Sequence, residues 1–271
     1  MLPVVSNLDL LIVPRRLEVA GYATAQATEL FGYLNGMSVP LINLATILTA
    51  AMAMNLVPAV SNYLTLENHE GIYEKTASAM RTALLASIPF SVMLYVLAKP
   101  VVTFIYNAPA ATGATKAIAV AIIFLGIHQV TTGILQGLHR PKIPVINMGI
   151  ACVVKVLCNW FLVAIPTFGI VGASYATVAD IGVAAGLNLI FIYKHTGYVL
   201  DVKNIAKNII SAAVMGVAMY FCYSFISSIG LFLSLLFTTI LGTVIYIGLM
   251  VLMKGVTRDD AQKMPFFGRF F

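Results

Sequence analysis

Two ionisable residues, Lys155 and Asp180, lie in the middle of long apolar stretches, where a charge is costly unless it has a partner. The two stretches are separated only by the turn 166–169, so they are predicted to form an antiparallel helical hairpin. Each residue lies about 12 residues, or roughly 18 Å, from that turn, which puts both at the same depth. The spacing therefore predicts an intramembrane Lys–Asp pair, with Asn159 one turn from Lys155 on the same helix face.

This polar pair has two interpretations. It is either a static pair that holds the hairpin together, or part of a polar cavity wall that serves as a cation- or proton-coupling site. Removing one partner leaves an unpaired buried charge. Lys155→Met alone is therefore expected to be more damaging than Lys155→Met combined with Asp180→Leu.

A second polar cluster lies near the start of the chain. Asp9 falls inside an apolar stretch and is expected to face a bundle interior or a water-filled cavity, where it is predicted to contribute to substrate binding together with Arg15 and Arg16. Arg15 and Arg16 follow at the predicted helix end. Their side chains either extend toward lipid headgroups or bind a phosphate-bearing substrate, for which the planar guanidinium is suited.

The composition excludes a soluble protein. The chain is 60% apolar and only 10% charged, whereas soluble domains carry about 25% charged residues. The net charge of +6 is spread between apolar stretches, which argues against a nucleic-acid partner. The three cysteines lie in apolar stretches without a C-x-x-C motif, and neither a metal site nor a cofactor or ATP motif is predicted.

Apolar stretches of membrane-spanning length recur along the chain. The first, up to residue 13, is shorter than a full span, so the chain is expected to begin partway through a membrane helix. The second is expected to bend near Pro40. The longest polar connection is predicted at 62–76. Seven full spans are predicted at 31–57, 77–98, 117–138, 143–164, 169–193, 205–226 and 231–253.

The distribution of basic residues predicts the orientation. One side of the membrane receives eleven Lys and Arg residues and the other four, when the connections are assigned alternately. Cytoplasmic loops carry the excess of basic residues, so the richer side is assigned to the cytoplasm. The tail 255–271 is then predicted to be cytoplasmic.

Five stretches carry a resemblance to a known family. The segments 9–17 and 27–36 resemble the start of the second lobe of polysaccharide and lipid-linked oligosaccharide flippases. The segments 56–61, 133–144 and 170–177 resemble later motifs of the same lobe, in the same order. The nearest branch is that of stage V sporulation protein B, close to the lipid II flippases, within the multidrug/oligosaccharidyl-lipid/polysaccharide exporter (MOP) superfamily.

The resemblance implies an all-α, MATE-like fold of two six-helix lobes plus two extra helices. This chain would hold the second lobe at 1–195, with its first helix truncated, and the two extra transmembrane helices at 196–254. The first lobe would come from a separate chain or from a longer protein. The resemblance also implies that Arg15 and Arg16 occupy a stretch in which related flippases place cavity arginines.

The function predicted is a flippase fragment in the cytoplasmic membrane, not an enzyme. Its partners would be membrane lipids, a first lobe and an undecaprenyl-pyrophosphate-linked oligosaccharide or peptidoglycan precursor. Alternatives are a cation-coupled multidrug exporter of the same superfamily or a non-transporting partner in cell-wall synthesis. A membrane-bound transferase would need a catalytic cluster at the membrane interface, and the sequence offers none.

Overall fold

The structure, a computed structural model, describes residues 2–255, and the regular elements in this range are helical. A π-helical segment, Tyr33–Ser38, joins the second and third α-helices. The helices are α1 Leu2–Val19, α2 Thr24–Gly32, α3 Val39–Ala45, α4 Ile47–Thr65, α5 His69–Val96, α6 Ala98–Tyr106, α7 Thr112–Ala119, α8 Ala121–Gly137, α9 Lys142–Leu162, α10 Gly169–Thr196, α11 Val202–Ile226 and α12 Leu231–Leu252.

Six helices in the described range are long and apolar enough to cross a membrane, and a bent pair adds a seventh possible span. The six are α4, α5, α9, α10, α11 with the short turn that follows it, and α12. The bent pair is Pro109–Ala119 with Ala121–Gly137, at an angle of 48°. The prediction of a polytopic helical bundle is therefore confirmed.

The structure corrects several predicted boundaries. The first helix does not end before Pro14 but continues to Val19. The segment predicted as a polar connection is helical from His69, because the side chain of Asn68 accepts a hydrogen bond from the Gly71 N–H at 2.8 Å and caps α5.

Two predicted spans are broken rather than continuous. The helix expected at 31–57 contains the π-helical segment, and it breaks again at Thr46. Pro40 has no N–H, so the Gly36 carbonyl lacks its usual helical donor. The π-helical segment, whose turns are wider than those of an α-helix, contains Gly36. The fourth predicted span, at 117–138, bends where α7 meets α8.

Close backbone contact joins α4 to α8. A methyl group added to Gly133 would lie 2.5 Å from the carbonyl oxygen of Ala53, and one added to Gly137 would lie 2.8 Å from that of Val57. Small residues allow membrane helices to approach this closely, and van der Waals packing then holds them together.

The last two helices attach to main-chain carbonyls of α5. Asn208 of α11 donates to the Leu84 carbonyl at 2.9 Å, and the Tyr246 hydroxyl of α12 lies 3.0 Å from the Leu85 carbonyl. The same hydroxyl lies 2.7 Å from Asn208 Oδ1, so two acceptors share its proton. The Leu85 carbonyl has no donor within α5, because the residue four positions later is Pro89, which lacks an N–H.

Replacing Tyr246 with phenylalanine is expected to lower the free energy of unfolding by about 1–2 kcal/mol, because two buried acceptors lose their donor. Denaturant unfolding in detergent micelles measures this loss. Tyr220→Phe is the matched control, because Tyr220 lies on α11 with 65% of its surface exposed. Equal stability of the two variants would show that the hydroxyl does not hold α12 against α5.

The division of the chain into a lobe and an extra pair falls in the loop between α10 and α11 and stays a prediction. The predicted cytoplasmic tail lies outside the described residues, apart from Gly255.

Candidate functional site

Three charged residues from three helices meet inside the bundle. The hairpin of α9 and α10 brings Lys155 within 4.0 Å of Asp180, measured from Nζ to Oδ2. Asp9 of α1 lies closer, with its Oδ2 2.6 Å from Lys155 Nζ. The nearest partner of the lysine is therefore Asp9, and the predicted partner Asp180 forms the longer of the two contacts.

Asp9 also binds the predicted neighbour on α9. The Asn159 side-chain amide donates to Asp9 Oδ1 at 2.9 Å, so both carboxylate oxygens of Asp9 have a donor. Both oxygens are thus held by α9, and this arrangement ties α1 to α9. The side chains of Lys155 and Asp9 are only 9% and 11% exposed, so the tie lies away from the surface.

One buried acceptor in the cluster has no donor among the described residues. Asn159 Oδ1 is buried and makes no hydrogen bond, while the amide nitrogen of the same side chain is committed to Asp9. A narrow crevice between α1, the π-helical segment and the α9–α10 hairpin reaches this point, and Asn35 and Thr177 contribute polar groups to its wall. The crevice is too narrow to hold a water molecule, so the Asn159 Oδ1 acceptor stays unsatisfied in this arrangement.

The two predicted arginines have different surroundings. Arg16 donates from Nε to the carbonyl oxygen of Trp160 at 2.9 Å, and its guanidinium lies 4.4 Å from the centre of the Trp160 ring. Trp160 belongs to the last turn of α9, where carbonyls lack helical partners, so Arg16 caps that helix. Arg15 is exposed. The structure does not bring either arginine into the Lys155 cluster through a described contact.

A second buried polar network joins α8, α9 and α10. Asn147 donates to Asn188 at 2.8 Å, and the Asn188 amide lies 3.3 Å from Nδ1 of His128. Neither asparagine was predicted from the sequence. The signal was present, because both lie about eight residues farther from the turn than Lys155 and Asp180, and so share a level in the same hairpin.

Exposed amides lie along α3 and α4. Asn43, Asn55 and Asn62 are exposed, and Asn55 lies near the middle of a helix long enough to span the membrane. Asn55 and Asn62 are seven residues apart and share a helix face. An amide at membrane depth that faced lipid would lack hydrogen-bond partners. This face therefore fits a water-filled cavity or a protein neighbour better than lipid.

A separate cavity of about 170 Å³ lies between α5, α11 and the loop that precedes α11. Arg81, Asp201 and Asn204 line it beside Tyr73 and Tyr198. Burial raises the pKa of the Tyr198 phenol to about 12, so this hydroxyl stays protonated at neutral pH. The site residues predicted from the sequence lie elsewhere.

Comparison with known families gives one match that covers most of the chain. The family described as "Lipid II flippase MurJ" matches residues 36–246. Among solved structures, "Lipid II flippase MurJ, inward closed conformation" is similar, with a TM-score of 0.62 at 15% identity. The alignment covers 85% of this chain and 53% of that one. At this identity, the likeness shows a common fold.

Two curated proteins of Bacillus subtilis (strain 168) are also similar. Stage V sporulation protein B is 24% identical over 260 residues, which are 96% of this chain and 50% of that protein. The uncharacterized membrane protein YabM is 28% identical over 185 residues, which are 68% of this chain and 34% of that protein. The chain thus spans half or less of the length of these curated relatives.

Proposed function

This chain belongs to the lipid II flippase MurJ family, and from this premise we propose that it forms the second lobe of a flippase for a lipid-linked cell-wall precursor. The substrate would be an undecaprenyl-pyrophosphate-linked oligosaccharide or peptidoglycan precursor. It would cross the cytoplasmic membrane by alternating access of two lobes, with the C-terminus of this chain on the cytoplasmic side. The activity is transport of an intact molecule, without ATP hydrolysis by this chain.

The exposed amides of α3 and α4 carry this proposal. Asn55 and Asn62 give α4, a helix of membrane-spanning length, a polar face that the other described residues leave exposed, and Asn43 extends the exposed amides to α3. A cavity between two lobes would supply the water and the polar substrate groups that such a face requires. The first lobe would come from another polypeptide or from the remainder of a longer protein.

Arg15 is the better candidate for contact with the pyrophosphate. It is exposed, whereas Arg16 is engaged with the carbonyl and the ring of Trp160. The fork of an arginine binds phosphate oxygens through charge-assisted hydrogen bonds. Arg16 of α1, which is bound to the end of α9, would hold the adjacent Arg15 in place and offer its remaining N–H groups to the same anion.

Arg15→Gln is expected to reduce the flipping rate by roughly 10- to 150-fold, because a hydrogen bond to a charged group contributes about 1.5–3 kcal/mol. Vesicles that contain the two-lobe protein and a fluorescent lipid-linked oligosaccharide measure the rate. Lys99→Gln is the matched control, because Lys99 is an exposed cation predicted on the same membrane side. If both variants lose the same fraction of activity, general electrostatic attraction explains the effect and the Arg15 contact is wrong.

The function itself is tested by reconstitution. The chain is placed in vesicles together with a polypeptide that supplies a first lobe, and exposure of the lipid-linked sugar on the opposite leaflet is measured. We expect flipping only when both lobes are present. Absence of flipping with both lobes folded and inserted would overturn the proposed function, and flipping by this chain alone would overturn the requirement for a first lobe.

A further inference from the structure

Three ionisable side chains share one buried cluster, and their charges do not cancel when all three are ionised. Lys155 brings one positive charge, while Asp9 and Asp180 bring one negative charge each, and these side chains are 9%, 11% and 15% exposed. A net charge inside a membrane protein is costly, whereas a protonated carboxyl group is neutral. We infer that Asp180 is a binding site for an exchangeable proton and that the cluster is neutral when this proton is bound.

The hydrogen bonds assign the proton to Asp180 rather than to Asp9. Asp9 accepts from Lys155 at 2.6 Å and from Asn159 at 2.9 Å, and both contacts favour the ionised carboxylate. The Nζ atom of Lys155 lies 4.0 Å from Asp180 Oδ2, which is beyond hydrogen-bond distance. The proton therefore belongs to Asp180, which has no donor within hydrogen-bond distance among the residues that the structure describes, and not to Asp9, which has two.

Titratable groups approach Asp180 from the helices packed around α10. Asp9 of α1 and Lys155 of α9 are its charged neighbours, and the Cys152 thiol of α9 also interacts with all three of these charged groups. The other helices packed against α10 carry groups whose described contacts are with other residues. These are His128 of α8 in the asparagine network, Lys116 of α7 near an aromatic ring, and Arg81 of α5 at the separate cavity.

Loss of this proton changes how α1 is held. The transfer moves one proton from an Asp180 carboxyl oxygen to water, and it makes or breaks only O–H bonds. Two carboxylates then compete for the ammonium group of Lys155. A small movement of this ammonium group brings it closer to Asp180 than to Asp9. Because Asp9 ties α1 to α9, proton release weakens that tie. The use of this step in translocation rests on the proposed flippase function.

Infrared spectroscopy tests the proton site without any transport assay. A protonated carboxyl group has a C=O stretch that a carboxylate lacks and that shifts in D₂O, and exposed carboxyl groups are ionised at neutral pH. The purified chain in lipid nanodiscs is expected to show one such band at neutral pH. Asp180→Asn is expected to abolish it, and Lys155→Met to increase it about twofold, because two carboxyl groups then lack a cation.

Two further variants serve as controls. Glu74→Gln removes an exposed carboxyl group and is expected to leave the band unchanged. Asp180→Glu keeps a carboxyl group at the site, so it is expected to retain a band at a shifted frequency even if Asp180→Asn fails to fold. Persistence of the original band in Asp180→Asn or in Asp180→Glu would place the proton elsewhere. Absence of a band in the parent chain from about pH 5 to about pH 9 would also overturn the proposal.

The coupling to transport is measured separately. In vesicles with both lobes, a pH gradient is expected to change the flipping rate of the parent protein several-fold and to have no effect on Asp180→Asn. An infrared band without flipping supports the proton site and contradicts the flippase function. Flipping without an infrared band supports the flippase function and contradicts the proton site. The two proposals can therefore fail independently.

Discussion

Lys155→Met is expected to lower the free energy of unfolding by about 3–5 kcal/mol, because it leaves two buried carboxyl groups without their cation. Asp9 loses its contact at 2.6 Å and Asp180 its contact at 4.0 Å. Asp9 then has to take up a proton in a membrane interior, as Asp180 already does, and it keeps only the amide of Asn159 as a donor. Denaturant unfolding of the purified chain in micelles measures the loss.

Double variants show which carboxyl group is the main partner. Adding Asp9→Leu to Lys155→Met is expected to recover more stability than adding Asp180→Leu, because the shorter contact identifies Asp9. Leu157→Met is the control, since this residue lies on the same helix and is 53% exposed. A combination of Lys155→Met and Asp9→Leu that is as unstable as the sum of the single variants would refute the pairing.

Gly133→Ala is expected to destabilise the chain by about 1–3 kcal/mol, although alanine is intrinsically the better helix former. The new methyl group would lie 2.5 Å from the carbonyl oxygen of Ala53, and it would lie 3.0 Å from the two neighbouring backbone carbons. Backbone atoms within a helix cannot move aside individually, so α4 and α8 would have to separate. Thermal or denaturant unfolding in micelles measures the change.

Gly149→Ala provides the control for helix propensity. Gly149 lies inside α9, and among the described residues no atom outside the local helix backbone lies within 4 Å of an added methyl group. Its replacement is expected to be neutral or to stabilise the chain by up to about 1 kcal/mol. If Gly133→Ala raises stability as much as Gly149→Ala does, the close approach of α4 and α8 contributes nothing to stability.

The sequence predicted the contacts that depend on a single hairpin. Lys155 and Asp180 could be placed at one level because a short turn fixes the register of α9 against α10. The contact of Asp9 with Lys155 joins residues 146 positions apart. It depends on how α1 packs across the hairpin, and side-chain packing of that kind has no signature in local spacing. The same reason explains why the carbonyl partner of Arg16 was not foreseen.

Helix existence was easier to predict than helix shape. Hydropathy detects a span of about 20 apolar residues, because the bilayer requires that length. Hydropathy carries no information on how backbone groups are satisfied at a break. The π-helical segment Tyr33–Ser38, beside Pro40 where the sequence predicted only a bend, and the bend between α7 and α8 therefore appeared only in the structure. The role of Asn68 as a cap could have been predicted, since asparagine favours that position.

The Leu85 carbonyl, which Pro89 leaves without a donor inside α5, has a consequence for how the chain is inserted into the membrane. A ribosome delivers this chain to the membrane from its N-terminal end, so α5 is inserted well before α12 is synthesised. The donor that satisfies Leu85 arrives with Tyr246, 161 residues later. Until translation reaches that point, α5 carries an exposed polar defect that quality-control proteases or insertion chaperones could recognise, and the final helix removes it.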